Sequence, residues 1–407
     1  MDAPVLIVFA CVYAGMMLGR WPGLAIDRTG VALLGAIVLL ATDCLSLEQA
    51  WQAIDAPTLA LLLGLMVVSA QFRLAGTYSA ITHRLAASNL RPSTLLLLLI
   101  LVAGGLSAVL ANDIVCLAMA PLLVEGCLRR GLRPLPFLLG LACAANVGSA
   151  ATLIGNPQNM LIGQKLGLSF GGYLLDGVVP AVLGCLATWG ILCWQFRGRW
   201  QTAASALAVP APPFNAWQCG KGVVVLGGLI MLFLVGVWPR EVVALAAAGV
   251  LLMSRRLHTR EMLALVDWQL LVLFAGLFVV NHALAASTWL STGMTGLAHV
   301  GVDLQHPGWL FGVTVVLSNL VSNVPAVMLL LPASEHSQAG AILALASTLA
   351  GNLFIVGSIA NIIVVDQAAR LGTRITWLEH ARSGLPVTLA TLAIAAGWLW
   401  LMGSNAT

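Results

Sequence analysis

The sequence predicts an all-α polytopic membrane protein made of two inverted-topology repeats, and three observations carry that expectation. First, 60% of the 407 residues are hydrophobic and only 8% are Asp, Glu, Lys or Arg, against about 25% charged in a soluble chain. Mean hydropathy is +0.98. A chain so short of charge cannot cover a water-facing surface, so its solvent is lipid, and soluble enzymes and nucleic-acid binders are excluded. Second, the basic residues sort to one side of a simple crossing pattern. Third, the second half repeats the motifs of the first in the same order.

Apolar runs lie at 4–19, 29–42, 56–72, 92–128, 135–163, 174–195, 221–237, 242–254, 268–286, 308–332, 339–365 and 384–402. One helical crossing takes about 20 residues. The run 92–128 is too long for one crossing, and 308–332 is too short for two. The positive-inside rule decides how to read them. If both return to the side they entered and the other ten cross once, 17 of the 19 Lys and Arg share one side, leaving Lys165 and Arg240 on the other. A crossing at 308–332 would strand Arg370, Arg374 and Arg382 outside. Both runs are therefore expected as re-entrant hairpins, with both termini on the non-cytoplasmic side of a multi-pass cytoplasmic (inner) membrane protein. No Lys or Arg precedes Arg20, so the first run lacks the basic region of a signal peptide and reads as a retained span. The eight cysteines form no CxxC pair and read as buried, reduced thiols.

The repeat is legible at four places. Asp55 opens DAPTLALLLGLMVVSA and Asp267 opens DWQLLVLFAGLFVVNH, an offset of 212 that pairs Gly64 with Gly276. LSAVLANDIVCLAMAP at 106–121 lies on LSNLVSNVPAVMLLLP at 317–332, pairing Ser107 with Ser318, Asn112 with Asn323 and Pro121 with Pro332. LIGNPQN at 153–159 lies on IVGSIAN at 355–361, pairing Gly155 with Gly357 and Asn159 with Asn361, and Trp21-Pro22 matches Trp238-Pro239. The first repeat is 1–197: crossings in 4–72, hairpin 92–128, a broken helix 135–163 and a last helix 174–195. The second is 220–407, with crossings in 221–286, hairpin 308–332, broken helix 339–365 and last helix 384–402. A cytoplasmic linker, 198–219, carries Pro210, Pro212 and Pro213 and reads as extended. Each repeat has five transmembrane helices, an odd number, so the second is upside down. Inverted repeats typify secondary transporters, whose sites lie at the midplane where the halves meet.

Non-helical backbone is tolerated inside a membrane only where protein or a water-filled cavity satisfies it. Such backbone concentrates at two expected hairpin tips, Ala111-Asn112-Asp113 and Ser322-Asn323-Val324-Pro325, and at two breaks, Gly155-Asn156-Pro157-Gln158-Asn159 and Gly357-Ser358-Ile359-Ala360-Asn361. Glycine frees the backbone, proline removes a helical bond, and Asn both donates and accepts. Helices broken this way offer positive N-terminal ends to an anion and carbonyls to a cation. An isolated Asn in a bundle usually makes an interhelical hydrogen bond, but paired Asn at matching repeat positions point to a site.

Asp113 is the one acid far from any segment end. A central ionised Asp costs about 2.5–3.5 kcal/mol on insertion scales, so it must pair, coordinate a cation or take up a proton; a helix-capping role is the structural alternative. No Lys or Arg lies deep in a run, so an anion would be held by helix ends and amides, and a neutral substrate stays open. The seven histidines lack metal-ligand spacing. HExxH, GxSxG and GxxxxGK[ST] are absent, so neither an enzyme nor an ATP-driven pump is expected, and no organic cofactor.

ANDIVCLAMAPLL, LPFLLGLACAANVGSAATLIGNPQN, SNVPAVMLLLP and GSIANIIV resemble the ion transporter superfamily, closest to its arsenite-permease and citrate-transporter-like branch, over nearly the whole chain. That group also holds sodium–proton antiporters and divalent anion–sodium symporters. The resemblance implies an elevator-type transporter: the first three spans of each repeat form a scaffold and homodimer interface, and the hairpins, broken helices and last helices move. It implies ion coupling at Asn112, Asp113, Gly155, Asn156, Ser322, Asn323 and Gly357, with Asn112, Asp113, Ser322 and Asn323 as Na⁺ ligands. It implies substrate binding at Asn112, Pro157, Gln158, Asn159, Asn323, Ser358 and Asn361. The sodium–dicarboxylate members carry Ser-Asn-Thr at both tips; the carboxylate of Asp113 here suits a proton-coupled site, or a sodium site with its own counter-charge. The expected function is secondary active transport of a small anion or oxyanion coupled to H⁺ or Na⁺, with arsenite-type efflux as one case. A sodium–proton antiporter is the alternative, and an anion channel a more remote one.

Overall fold

A computed structural model describes residues 2–19, 21, 23–203, 213–333 and 336–404. Pro22, and the middle of the expected linker with Pro210 and Pro212, lie outside the described residues. The regular structure of the described residues is helical, and an isolated β-bridge joins Leu132 to Gln201. Helices α1 (Asp2–Leu18), α2 (Arg28–Ala41), α3 (Leu47–Ala53), α4 (Ala56–Leu74) and α5 (Thr77–Ala87) lead into α6 (Pro92–Val109) and α7 (Asn112–Arg129). Then come α8 (Leu135–Ser149), α9 (Pro157–Lys165) and α10 (Phe170–Gln195). The second half runs α11 (Ala216–Val235), α12 (Arg240–Leu252), α13 (Thr259–Leu263), α14 (Trp268–Ala286) and α15 (Thr288–His299). It continues with α16 (Pro307–Val321), α17 (Asn323–Leu330), α18 (Ala339–Ala350), α19 (Ile359–Arg370) and α20 (Trp377–Ser404). Six of these, α4, α6, α10, α11, α14 and α20, are long and apolar enough to cross a membrane.

Helix ends follow local chemistry. Asp55 and Asp267 cap α4 and α14 by accepting from the amides of Thr58 (2.8 Å) and Leu270 (2.9 Å), satisfying donors that a helix start leaves free. Asn215 caps α11, so that helix begins at Ala216 and takes in the last four residues of the expected linker. The runs 92–128 and 308–332 each fold as an antiparallel helix pair. Arg130 Nη2 donates to Leu90 O (2.7 Å) across the open end of the first, and Gln305 Nε2 to Ala333 O (3.2 Å) across the second. Helix α17 has eight residues, a length of about 12 Å, far less than a bilayer. Four short helices, α3, α5, α13 and α15, occupy stretches between apolar runs.

Every residue of α8 and of α18 is buried, as expected of helices that are apolar or small all round. They form the centre, with α6 and α10 against α8, and α16 and α20 against α18. In the remaining part α4 packs on α12, and α14 on α2. A Cβ at Gly64 would lie 2.6 Å from the backbone carbon of Ala244, and one at Gly276 2.8 Å from that of Ala32. The two contacts are related by the 212-residue offset. At one end of the bundle Lys165 Nζ meets Asp55 Oδ2 (2.5 Å), Gln164 Nε2 donates to Glu241 (2.9 Å), and Arg240 Nη2 to Gly163 O (2.6 Å). At the other, Arg133 meets Glu379 (3.4 Å), Gln195 donates to Arg382 O (2.7 Å) and Lys221 to Met253 O (3.3 Å).

Gly64→Ala and Gly276→Ala each force two backbones apart, a cost of about 1–3 kcal/mol for overpacking. Both should lower the melting temperature in detergent, whereas Gly228→Ala, with open space around its Cβ, should leave it unchanged.

Candidate functional site

Between α8 and α9 the chain leaves the helix at residues 150–156, and Pro157 restarts it at the first helical position, where its missing N–H costs nothing. Asn156 caps the restart, accepting from Asn159 N (2.9 Å). The freed carbonyls are taken up by side chains: Asn159 Nδ2 donates to Thr152 O (3.0 Å), and the Tyr173 hydroxyl to Ala150 O (2.8 Å). The break between α18 and α19 is built alike. Asn361 Nδ2 donates to Gly351 O (2.8 Å) and Phe354 O (3.1 Å), and His380 Nε2 lies 3.2 Å from Asn352 O. These partners are what buried irregular backbone requires.

Each hairpin tip reaches a break. Asn112 N donates to Gly155 O (3.4 Å) and Ala111 N to Ser69 Oγ (3.3 Å). At the second tip Ser322 adopts φ 77° and ψ 160°, a region reserved largely for glycine that costs about 1–3 kcal/mol. Asn323 donates to Ser347 O (3.0 Å) and Gly357 O (3.2 Å) and accepts from Gln158 Nε2 (3.3 Å).

The central helices exchange their polar residues. Asn146 of α8 serves the other half: its amide donates to Asn352 Oδ1 (2.8 Å) and Asn361 Oδ1 (3.1 Å), and its oxygen accepts from Ser358 Oγ (2.8 Å) and from Asn112 Nδ2 (3.4 Å). Thr348 of α18, 202 residues on, does the reverse. It accepts from Asn156 Nδ2 (3.2 Å) and Gln158 Nε2 (3.1 Å) and donates to Asn159 Oδ1 (3.3 Å).

Four helices, α7, α9, α17 and α19, begin at one small cavity of about 30 Å³, room for about one water. Its lining includes Asn112, Asp113, Pro157, Gln158, Ser322, Asn323 and Ser358. Each helix start carries roughly half a positive charge. A larger cavity of about 350 Å³ shares Asp113, Pro157 and Leu270 and extends along Leu62, Leu65, Ile114 and Met160 to Arg73 and Asp267. Asp113 thus stands between the two. It is half-buried, and among the described residues it has no ion pair.

The structure brings most of the sequence-predicted residues to this place. Asn156, Asn159, Asn361, Gly155 and Gly357 line neither cavity; the three amides hold the breaks and the two glycines admit neighbouring backbone. A Cβ at Gly155 would strike Ser149 O and lie 2.8 Å from Ser107 O. Sequence reasoning missed Asn146, Ser149, Thr348 and Asn352, single polar residues in or just beyond apolar helices. It also missed Arg73, which sits at a segment end yet lines the large cavity. Buried oxygens without a hydrogen-bond partner gather beside each tip: Ser107 Oγ and Asn112 Oδ1 at the first, Ser318 Oγ and Asn319 Oδ1 at the second. Ser107 and Ser318 are the pair matched in the repeat.

The profile of the citrate transporter family, CitMHS, matches residues 5–350. The chain is 30% identical to the silicon efflux transporter LSI3 of Oryza sativa subsp. japonica, over 92% of each chain. It is 30% identical to the inner membrane protein YbiR of Escherichia coli (strain K12), over 88% of this chain and 91% of that one. Its fold matches the crystal structure of the YdaH transporter from Alcanivorax borkumensis with a TM-score of 0.60 at 14% identity, covering 98% of this chain and 97% of the other.

Gly155→Ala should abolish transport and lower the melting temperature, because its nearest obstacles are backbone atoms. Gly357→Ala meets Gly351 O at 3.0 Å and the Asn319 side chain at 3.3 Å and should keep part of the wild-type flux. Flux and thermal unfolding of the two variants, measured side by side, check this ranking.

Proposed function

The chain belongs to the citrate transporter family of membrane transporters, and on that premise we propose that it is a secondary active transporter of a small anion or oxyanion, coupled to H⁺ or Na⁺. The observation that carries the reading is the meeting of four helix N-termini at Asp113. Convergent N-termini are a ready-made anion site, and no lysine is needed to make one. An anionic substrate and the Asp113 carboxylate compete for the same four helix ends. Binding the anion therefore draws in a compensating H⁺ or Na⁺, which is the elementary step of coupled transport.

The unpartnered oxygens beside each tip supply coordination for the coupling ion. Oxygen-only donors suit a hard cation, and Ser107, Asn112 and the carbonyls around Gly155 form one such set. Ser318, Asn319 and the carbonyls of Gly351 and Gly357 form the other. The substrate enters through the larger cavity, where Arg73 offers an anion its first counter-charge. The silicon efflux relative favours a hydroxylated oxyacid as substrate, and arsenite-type efflux is a case of the same chemistry; the family description favours a carboxylate.

Movement follows an elevator cycle on this reading. Helices α1–α4 and α11–α14 form the fixed scaffold and a homodimer interface, and the hairpins, broken helices, α10 and α20 move against it. Support comes from the contacts related by a constant offset and from the grouping of Lys165 with Arg240 at one end, away from the arginines at the other. The tip of α6 and α7 rests on a break midway along the α8–α9 segment, as a re-entrant hairpin would. Both termini then lie outside the cytoplasm. A sodium–proton antiporter is favoured by one observation, the two carboxylates, Asp113 and Asp267, that line the larger cavity against one arginine.

Proteoliposomes with separately imposed pH and Na⁺ gradients test the proposal. Wild-type protein should drive labelled oxyanion uptake or release with one gradient, and Asp113→Asn should lose the response to it. Unchanged coupled flux in the variant would remove Asp113 from the mechanism. Na⁺–H⁺ exchange without added anion would establish the antiporter instead.

A further inference from the structure

One end of the bundle is clamped and the other is open. At the clamped end Lys165, in the last turn of α9, meets Asp55, the cap of α4, at 2.5 Å. A cation at a helix C-terminus and an anion at an N-terminus each reinforce the helix dipole. Although burial opposes the charge on Asp55, the bonds from Lys165 and Thr58 hold its carboxyl below the usual carboxylate range. Lys165 also lies 5.9 Å from the ring of Phe278 in α14. The neighbouring residues add Gln164 to Glu241 and Arg240 to Gly163 O. Every one of these contacts joins the broken helix to the part built from α4, α12 and α14.

The offset-matched positions are not joined. Asp267 corresponds to Asp55 and Arg28 to Arg240, both 212 residues apart. Asp267 caps α14 and lines the 350 Å³ cavity, and among the described residues it has no ion pair. Arg28 donates to Met16 O (3.2 Å). The end of α19, which matches the end of α9, keeps its charges to itself: Arg370 meets Asp366 one turn back at 2.9 Å, both more than half exposed.

We infer that Asp55 and Lys165 are the positioning residues that close the transport site toward the Lys165 end, and that Asp366 and Arg370 close it toward the other end by exchanging their mutual pair for Arg28 and Asp267. The inference rests on the elevator reading of the proposed function. The charges are complementary: α19 brings an acid and a base to a base and an acid. The two locks exclude each other, since moving α19 onto Asp267 closes the large cavity and carries α9 away from Asp55. The structure is then the state open at the Arg73–Asp267 end.

Hydrogen exchange by mass spectrometry on the full protein in liposomes, without substrate, tests this with Asp55→Asn and with the charge swap Asp55→Lys/Lys165→Asp. In Asp55→Asn, residues 157–165 should lose protection while residues 262–270 gain it, by about fivefold, the weight of a half-exposed ion pair. The swap rebuilds the pair without the α4 cap, so it should return part of the lost protection at residues 157–165 and part of the gain at 262–270. An unchanged pattern, or loss of protection in both segments together, would overturn the inference. Failure of the proposed function is read separately, as absence of gradient-driven flux in wild-type protein, and leaves the exchange result standing.

Discussion

Four helix starts brought to one cavity are the constraint on which the rest of the structure depends. Each carries roughly half a positive charge, and four together in apolar surroundings demand an answering group. Asp113 lines that cavity and among the described residues has no ion pair. Partly buried helix ends contribute up to about 2 kcal/mol each, enough together to offset the roughly 2.5–3.5 kcal/mol that a central Asp costs on insertion. To supply two of the starts, the segments α8–α9 and α18–α19 must break. To supply the other two, the chain must turn at Asn112 and at Asn323 deep in the bundle.

Those breaks persist because each half holds the other open. Asn146 reaches across to Ser358, Asn352 and Asn361, and Thr348 reaches back to Asn156, Gln158 and Asn159. Buried polar networks are stable only when their members are satisfied, and nearly all of these are. The exceptions are the Asn352 amide donor at the second break and, beside the two tips, the acceptors of Ser107, Asn112, Ser318 and Asn319. A rigid, satisfied centre with a few open oxygens at its edge is what a site for a small ion and its co-substrate requires.

Much of this was legible in the sequence because lipid removes alternatives. Charged residues must collect at the ends, so the apolar runs between them marked the helical segments and the two helix pairs to within seven residues, the largest difference being the start of α20 at Trp377. Gly155 with Asn156 and Pro157, and Gly357 with Ser358, marked the breaks because glycine, proline and polar residues fall together there inside apolar runs. Asn146 and Thr348 were not legible: each is a lone polar residue in an apolar helix, and its partners lie about 200 residues away. Asn159 and Asn361, expected among the substrate ligands, donate to carbonyls of the breaks, a contact set by which way their amides point. Arg73 counted only as one basic residue of a side, because exposure to a cavity leaves no trace in hydropathy. The short helices α3, α5, α13 and α15 escaped notice because each lies between runs long enough to cross the membrane.

The central claim is that the four helix starts at Asp113 form the anion site. Anomalous diffraction from crystals soaked in selenate, a heavy tetrahedral oxyanion, tests it most directly. The structure predicts a selenium peak between the starts of α7, α9, α17 and α19, within hydrogen-bond reach of Asn112 and Asn323. A peak confined to the arginine-rich end of the bundle, with none between the hairpin tips, would contradict it.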